Sequence, residues 1–284
     1  MPCSSFWTRW CDAASSPIQK SPCPETNKLG SAGTICSREA MQAEEYGRMF
    51  QFETDYWWFV GRRRLVMRLL QSYLSGGKGW ILDAGCGTGA MLCELQAFGQ
   101  VVGLDIEPLA LHYARQRGEF PLLQARLEAL PFRAETFRVI TALDVLEHLP
   151  DDRPALKELW RVLQPHGMLL ITVPAYRFLW SKHDIALQHY RRYTARELGQ
   201  RLREVGFEVH KLSYAVSVLF VPILLVRWWD RWRRTPPAAT LIPVSPAVNR
   251  WLIRLQDWEA RLIQRVNLPF GVSLVAVASK MRSE

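Results

Sequence analysis

Trp80-Ile81-Leu82-Asp83-Ala84-Gly85-Cys86-Gly87-Thr88-Gly89 is the stretch whose reading decides the fold. An apolar run passes straight into three glycines, and a helical pattern (Met91–Phe98) follows at once. That order is strand, tight turn, helix. Glycine lets the backbone turn sharply and lets a ligand approach the main chain closely. The helix start beyond it favours an anionic group such as a carboxylate or phosphate. Read loosely, Gly85-x-Gly87-x-x-Ala90 also fits a dinucleotide fingerprint, and a purely structural turn would need the same glycines.

Working outward, the same alternation continues. Strands are expected at Trp80–Ala84, Val101–Asp105, Leu122–Ala125, Val139–Leu143 and Met168–Val173. Helical patterns fall between them at Met91–Phe98, Pro108–Arg117 and Pro154–Val162, and Gly167 is expected to give the last of these a sharp stop. A further helix (Ala195–Val205), a strand (Phe207–Tyr214) and a final strand (Val272–Ala278) complete the set. Strand–helix alternation implies parallel strands with right-handed crossovers. The expected fold is α/β, a doubly wound, mostly parallel seven-stranded sheet with a helical insert before the last strand.

The organisation follows from composition. Residues 1–40 are rich in Ser, Pro, Thr and Gly, lack an apolar period and read as a disordered extension; Met41 opens an amphipathic pattern and is a candidate start. Residues 41–78 read as a helical cover, 79–215 as the core, 216–268 as a basic, Trp-rich insert, and 269–284 as the last strand and tail. The chain of 284 residues is 49% hydrophobic and 22% charged, which excludes collagen-like, disordered and small disulfide-stapled classes. No apolar run reaches the roughly 18 residues of a simple membrane span. The six cysteines show no close CxxC spacing, so neither zinc nor a disulfide framework is expected, and a reducing cytoplasm is the natural setting.

Five motifs in order carry a family likeness: Asp83-Ala-Gly-Cys-Gly-Thr-Gly89, Gly103-Leu-Asp105, Leu130-Pro-Phe132, Leu143-Asp-Val-Leu-Glu-His148 and Leu163-Gln-Pro-His-Gly167. Together they resemble class I S-adenosylmethionine-dependent methyltransferases. The resemblance implies S-adenosylmethionine as cofactor, with Asp83, Gly85, Gly87 and Gly89 lining its methionine part, Asp105 on the ribose hydroxyls, and Leu143 closing over it. Many relatives carry an Asp where Arg126 stands. Arginine cannot accept a hydrogen bond, so adenine recognition is expected to pass to the Leu127 backbone. A basic residue from the stretch before the first strand, Arg63 or Arg64, is expected to meet the methionine carboxylate.

Methyl transfer needs alignment and, for a weak nucleophile, activation. Asp144, Glu147 and His148, at i, i+3 and i+4, would share one face of a helix. Carboxylates plus an imidazole suit Mg2+ or another divalent metal. The pattern resembles the metal site of ubiquinone-pathway O-methyltransferases, the nearest in motif, and of small-RNA 2′-O-methyltransferases. Alternatively, Glu147 and His148 simply cap a helix and pack. After the fifth strand, His183 and His189 are candidate bases, and the RNA-modifying likeness would add His189 to the metal shell; a lid packed by Tyr190 and Tyr193 needs neither role.

The net charge of +9 leaves anionic partners open. From Arg227 onward ten Arg or Lys stand against four Asp or Glu. There, Trp228, Trp229 and Trp232 sit among arginines, and Trp251, Leu255, Trp258 and Leu262 form a helical stripe. Such chemistry suits an anionic membrane surface; packing on the sheet or on a second subunit would use the same residues. The expected function is methylation, at oxygen, of a small-molecule or lipid-linked acceptor, in the cytoplasm or at its membrane face. RNA methylation and a non-catalytic cofactor-binding partner are the alternatives, with nucleic acid disfavoured because the basic residues are interleaved with Trp rather than drawn out in a stripe.

Overall fold

The computed structural model describes residues 45–74, 76–232 and 243–281. The 1–40 extension and the candidate start at Met41 lie outside these described residues. A leading helix, residues 45–52, precedes α1 (Trp57–Tyr73). Then follow β1 (Trp80–Ala84), α2 (Ala90–Leu95), β2 (Gln100–Asp105), α3 (Pro108–Arg115), β3 (Leu122–Gln124) and β4 (Phe137–Leu143). Next come α4 (Arg153–Val162), β5 (Leu163–Pro174), α5 (Lys182–Ala186), α6 (Ala195–Val205) and β6 (Phe207–Ala215). The insert supplies α7 (Phe220–Trp232) and α8 (Pro246–Arg265), and β7 (Ser273–Lys280) closes the sheet.

The strands lie in the order β3-β2-β1-β4-β5-β7-β6, parallel from β3 to β5, with β7 antiparallel to both neighbours. This is the expected doubly wound sheet with its helical insert. Strand alternation sends Leu82 and Ala84 to one core, shared with Leu156 and Leu159 of α4 and Leu198 of α6. Ile81 faces the other core, with Leu69 and Leu70 of α1, Leu92 of α2 and Ile263 of α8.

Two local readings are corrected. Gly167 does not supply the turn after α4: the left-handed residue is His166, at φ 60°, while Gly167 is needed because a Cβ there would meet the Gln164 carbonyl oxygen at 2.8 Å. Asp144, Glu147 and His148 do not share a helix. Asp144 takes φ 54°, and only Leu146–His148 forms a 3-10 turn, so the i, i+3, i+4 argument fails at its first residue. Pro222 falls in the first turn of α7, where no amide has an i−4 carbonyl to lose, and the helix runs on through it.

The insert's second helix is fastened to the fold. Asn249 Oδ1 accepts the Trp57 amide at the start of α1 (2.8 Å), and Arg68 of α1 pairs with Asp257 (2.8 Å). A Cβ on Gly61 would strike Gln256, so α1 and α8 touch where α1 has no side chain. The buried Glu259 carboxylate accepts the successive amides of Val216, Ser217 and Val218 as the chain leaves β6. α8 buries Leu252, Gln256, Glu259, Ala260 and Ile263, and leaves Trp251 and Trp258 exposed.

Candidate active site

Two constructions meet at the carboxyl ends of the parallel strands, where open α/β sheets bind ligands. The first is the glycine turn. Gly85, Gly87 and Gly89 all have positive φ (78°, 53° and 88°), a conformation that side-chain-bearing residues avoid. The Gly85 and Cys86 amides return to the Leu104 carbonyl (2.7 and 2.9 Å), which ties the turn to β2. Asp105, at the end of β2, accepts the amides of Gly87 (2.8 Å) and Glu107 (2.9 Å). Burial pushes its carboxyl upward and those amides oppose the shift. Asp83 lies buried beneath, accepting Thr141 Oγ1 at 2.7 Å, and burial raises its pKa to about 7. Leu127 and Leu143 are buried beside this turn's core.

The cover over the turn comes from the leading helix, the first part of the 41–78 segment. Met49 of the leading helix reaches to 2.8 Å from where a Gly87 Cβ would sit. Phe50 stacks on Tyr113 (centroids 5.0 Å apart) with Arg117 over its other side (4.3 Å). Buried Glu53 accepts Thr88 Oγ1 and meets Arg117 (3.3 Å), pinning the segment to the turn. Arg63 joins this network: its Nε donates to Glu94 (2.6 Å) and its Nη1 to the Glu53 carbonyl. Arg64 points outward. The arginine that faces the strand ends is Arg62, ion-paired with Asp144, its buried Nε lacking a hydrogen-bond partner among the described residues. Arg62 and Asp144 line a cavity with Trp58, Thr172, Val216 and Glu259. The amphipathic spacing of Met49 and Phe50 was visible in the sequence; nothing in it singled out Arg62 from its two neighbours.

The second construction is built after β4 and β5. Glu147, His148 and His189 bring one ligand atom each within 4.8 Å of one another. Glu147 is buried, its Oε2 has no partner among the described residues, and burial followed by the nearby Asp144 charge raises its pKa well above the ordinary value. The His148 and His189 rings stand perpendicular, centroids 4.7 Å apart. Desolvation, then the neighbouring His189, lowers the His148 pKa, so this imidazole stays neutral at neutral pH. Asp144 is held away from the cluster by Arg62 and by Thr172 Oγ1 (2.9 Å). The structure thus brings His189 to Glu147 and His148 in place of Asp144, because Asp144 lies outside the turn that carries the other two.

His189 is oriented by Asp184, whose Oδ1 lies 3.0 Å from Nδ1. Asp184 is fully buried and also accepts Arg192 Nε (2.7 Å), Arg192 Nη2 (3.1 Å) and the Ser181 amide (2.8 Å). An Nδ1–H bonded to this carboxylate leaves the His189 Nε2 lone pair available. His183, on α5, stands outside the cluster; burial, then Arg227, lowers its pKa to about 4.

Residues 82–171 match the methyltransferase domain family. The chain is 30% identical over 165 residues to a probable S-adenosylmethionine-dependent methyltransferase of Mycolicibacterium smegmatis, covering 55% of this chain and 61% of that protein. It is 33% identical over 100 residues to the mitochondrial ubiquinone biosynthesis O-methyltransferase of Schizosaccharomyces pombe, covering 32% of this chain and 36% of the relative. Each alignment spans less than two thirds of the relative's length. Among solved structures, Haemonchus contortus phosphoethanolamine N-methyltransferase 2, in complex with S-adenosyl-L-methionine, shares the fold: TM-score 0.56, 17% identity, 88% of this chain and 59% of the other covered.

Proposed function

From the premise that the chain belongs to the class I S-adenosylmethionine-dependent methyltransferases, we propose that it methylates an oxygen of a small or lipid-linked acceptor. The observation that carries the reading is the group at the mouth of β4 and β5: a buried carboxylate beside two imidazoles, one steadied by Asp184. When bound, S-adenosylmethionine supplies a methyl group already activated on a sulfonium, so a hydroxyl acceptor needs only alignment and loss of its proton.

The glycine turn fits that cofactor. Its three left-handed glycines keep side chains off the main chain, and Asp105 offers a carboxylate for paired hydroxyls. Asp83, Leu127 and Leu143 shape the base of the cradle, and Arg62, with its unpartnered Nε, replaces Arg63 as the proposed holder of a carboxylate. On the acceptor side, His189 Nε2 takes the hydroxyl proton while Asp184 stabilises the imidazolium.

A second reading rests on the lone Glu147 oxygen. Glu147, His148 and His189 together make a donor set that fits a divalent cation, with a buried acid that would ionise on binding one. A cation there would lower the pKa of an acceptor hydroxyl, and His189 would then be a ligand rather than a base. Chelation separates the two: activity that disappears with EDTA and returns with magnesium or manganese supports the ligand role, and full activity in chelator supports the base.

The acceptor class is tested by methyl transfer from labelled cofactor into cell extract, divided into lipid, small-molecule, RNA and protein fractions. Label in the lipid or small-molecule fraction is the expected outcome. Label confined to RNA overturns the acceptor reading, and cofactor binding without label anywhere favours a non-catalytic partner.

A further inference from the structure

α7 is apolar on both sides, and among the described residues one side packs on the core while the other is largely exposed. Phe220, Ile223, Leu224 and Arg227 face inward, half-buried, with the three apolar residues packed on the core beside Leu179 and Val216. Val221, Leu225, Trp228 and Trp229, at i, i+4, i+7 and i+8, form the opposite stripe and are 56–61% exposed. The segment after β5 abuts the same helix at its inward edge. Phe178 lies against Phe220 (centroids 6.4 Å apart), and Phe178, Ile185 and Tyr190 are 53–60% exposed. Tyr190 directly follows His189. An apolar surface thus runs from the insert to the mouth of the candidate active site, and large exposed apolar surfaces mark interaction sites.

Charge exposed beside Phe178 and on the insert's second helix selects the partner. Exposed Arg177 flanks Phe178, and Arg250, Arg254 and Arg265 are exposed on α8 around exposed Trp251 and Trp258. The acidic residues of α8 are already engaged: Asp257 with Arg68 and Arg261, Glu259 with the amides leaving β6. Solvent-facing Trp among arginines matches the boundary between acyl chains and anionic headgroups. Among the described residues no helix is long and apolar enough to cross a membrane. The thirteen residues of α7 extend about 20 Å, against ~30 Å of hydrocarbon, so the helix would lie in the interface.

The inward side of α7 also reaches the chemistry. Arg227 Nη1 donates to the Leu179 carbonyl (2.7 Å) and meets Ser181 Oγ (3.3 Å) and Asp184 Oδ2 (3.4 Å), and Asp184 is the carboxylate that orients His189. We infer that the outer stripe of α7 and the Phe178–Tyr190 segment dock on an anionic phospholipid surface, and that Arg227 ties the docked helix to Asp184 and His189. The site mouth then opens toward the bilayer interface, where a lipid-linked acceptor resides. The inference rests on the proposed acceptor class, but its first test needs no acceptor.

Co-sedimentation of the full chain with phosphatidylcholine vesicles, with and without phosphatidylglycerol, reads the docking directly. Binding is expected with the mixed vesicles at low salt, falling at least tenfold in neutral vesicles or 0.5 M salt. Brominated acyl chains should quench the tryptophan emission of the bound protein. Trp228→Phe with Trp229→Phe, a replacement that keeps aromatic packing, should remove most of that quenching. A chain that stays in the supernatant with anionic vesicles at low salt overturns the inference, as does quenching unchanged in the double variant or tighter binding to an RNA fragment than to vesicles. Arg227→Gln should keep vesicle binding while shifting the pH profile of methyl transfer; a parallel loss of both would reduce Arg227 to a structural contact and refute the tie. Vesicle binding without lipid methylation would sink the acceptor reading alone.

Discussion

The glycine turn after β1 and the side-chain cluster after β4 and β5 are built on opposite principles. At the glycine turn the main chain does the work: amides and left-handed glycines are fixed by neighbouring strands, and one carboxylate, Asp105, sits among them. At the mouth of β4 and β5 the groups that meet are side chains distant in sequence, Glu147 after β4, His189 after α5 and Arg227 from the insert, with the Tyr190 amide donating to the Glu147 carbonyl (2.7 Å) to join the two loops. A backbone site is specified locally and tolerates change around it. A side-chain site depends on every element that delivers a residue.

That contrast is broken most severely at His189. His189→Ala is expected to lower kcat by about 10²- to 10⁴-fold while the cofactor dissociation constant stays unchanged by calorimetry. If cofactor affinity falls with kcat, the two ends are one network and the distinction fails. The pH profile should agree. The His148 pKa is lowered, so acidification must pass below the ordinary imidazole value near 6.5 before His148 gains a proton. An acid limb already complete above pH 6.5 would contradict the assignment.

Asp105→Ala tests the backbone end. Loss of a charge-assisted paired contact should weaken cofactor binding by about 10- to 100-fold, with the acceptor KM little changed. Undiminished affinity on a folded variant would remove Asp105 from the site.

Two further effects sharpen the comparison through stability. Glu259→Ala strips three amides of their acceptor, and thermal unfolding should report a loss of roughly 1–3 kcal/mol. A negligible change would mean α8 is held by its apolar face alone. Asp83, with a pKa raised to about 7, costs stability when charged: the folded state favours the proton, so stability is fully present below the unfolded value near 3.8 and is lost as pH rises through about 7. Asp83→Asn should therefore gain about 4 kcal/mol at pH 8 relative to pH 4. Equal melting differences at both pH values would deny the burial penalty.

The same contrast explains what the sequence disclosed. Strand–turn–helix and the acid eighteen residues after Gly87 are short-range patterns, so the sheet and the glycine turn were legible. The pairing of His189 with Glu147 spans two loops, and was reachable only through family likeness. The helical reading of Asp144, Glu147 and His148 failed because spacing presumes a helix, and the chain takes a left-handed residue at Asp144 instead. In Arg62-Arg63-Arg64 composition marked a basic cluster, but which arginine faces the strand ends depends on the rotation of α1, and that is set by α8 packing over Gly61. The Trp251–Leu262 stripe was real as a pattern, yet the face that packs is led by Leu252, Gln256, Ala260 and Ile263.

The insert also has a topological meaning. Ala215, where the chain leaves β6, is paired across the sheet with Ser273, where β7 begins. The two strands are antiparallel neighbours, so the whole of α7, α8 and their connection stands where a plain hairpin turn would join them. A loop whose ends are already side by side can lengthen at little further entropic cost. It can be exchanged without threading or re-registering a strand, so the outer surface of the insert can be rebuilt while the sheet stays as it is.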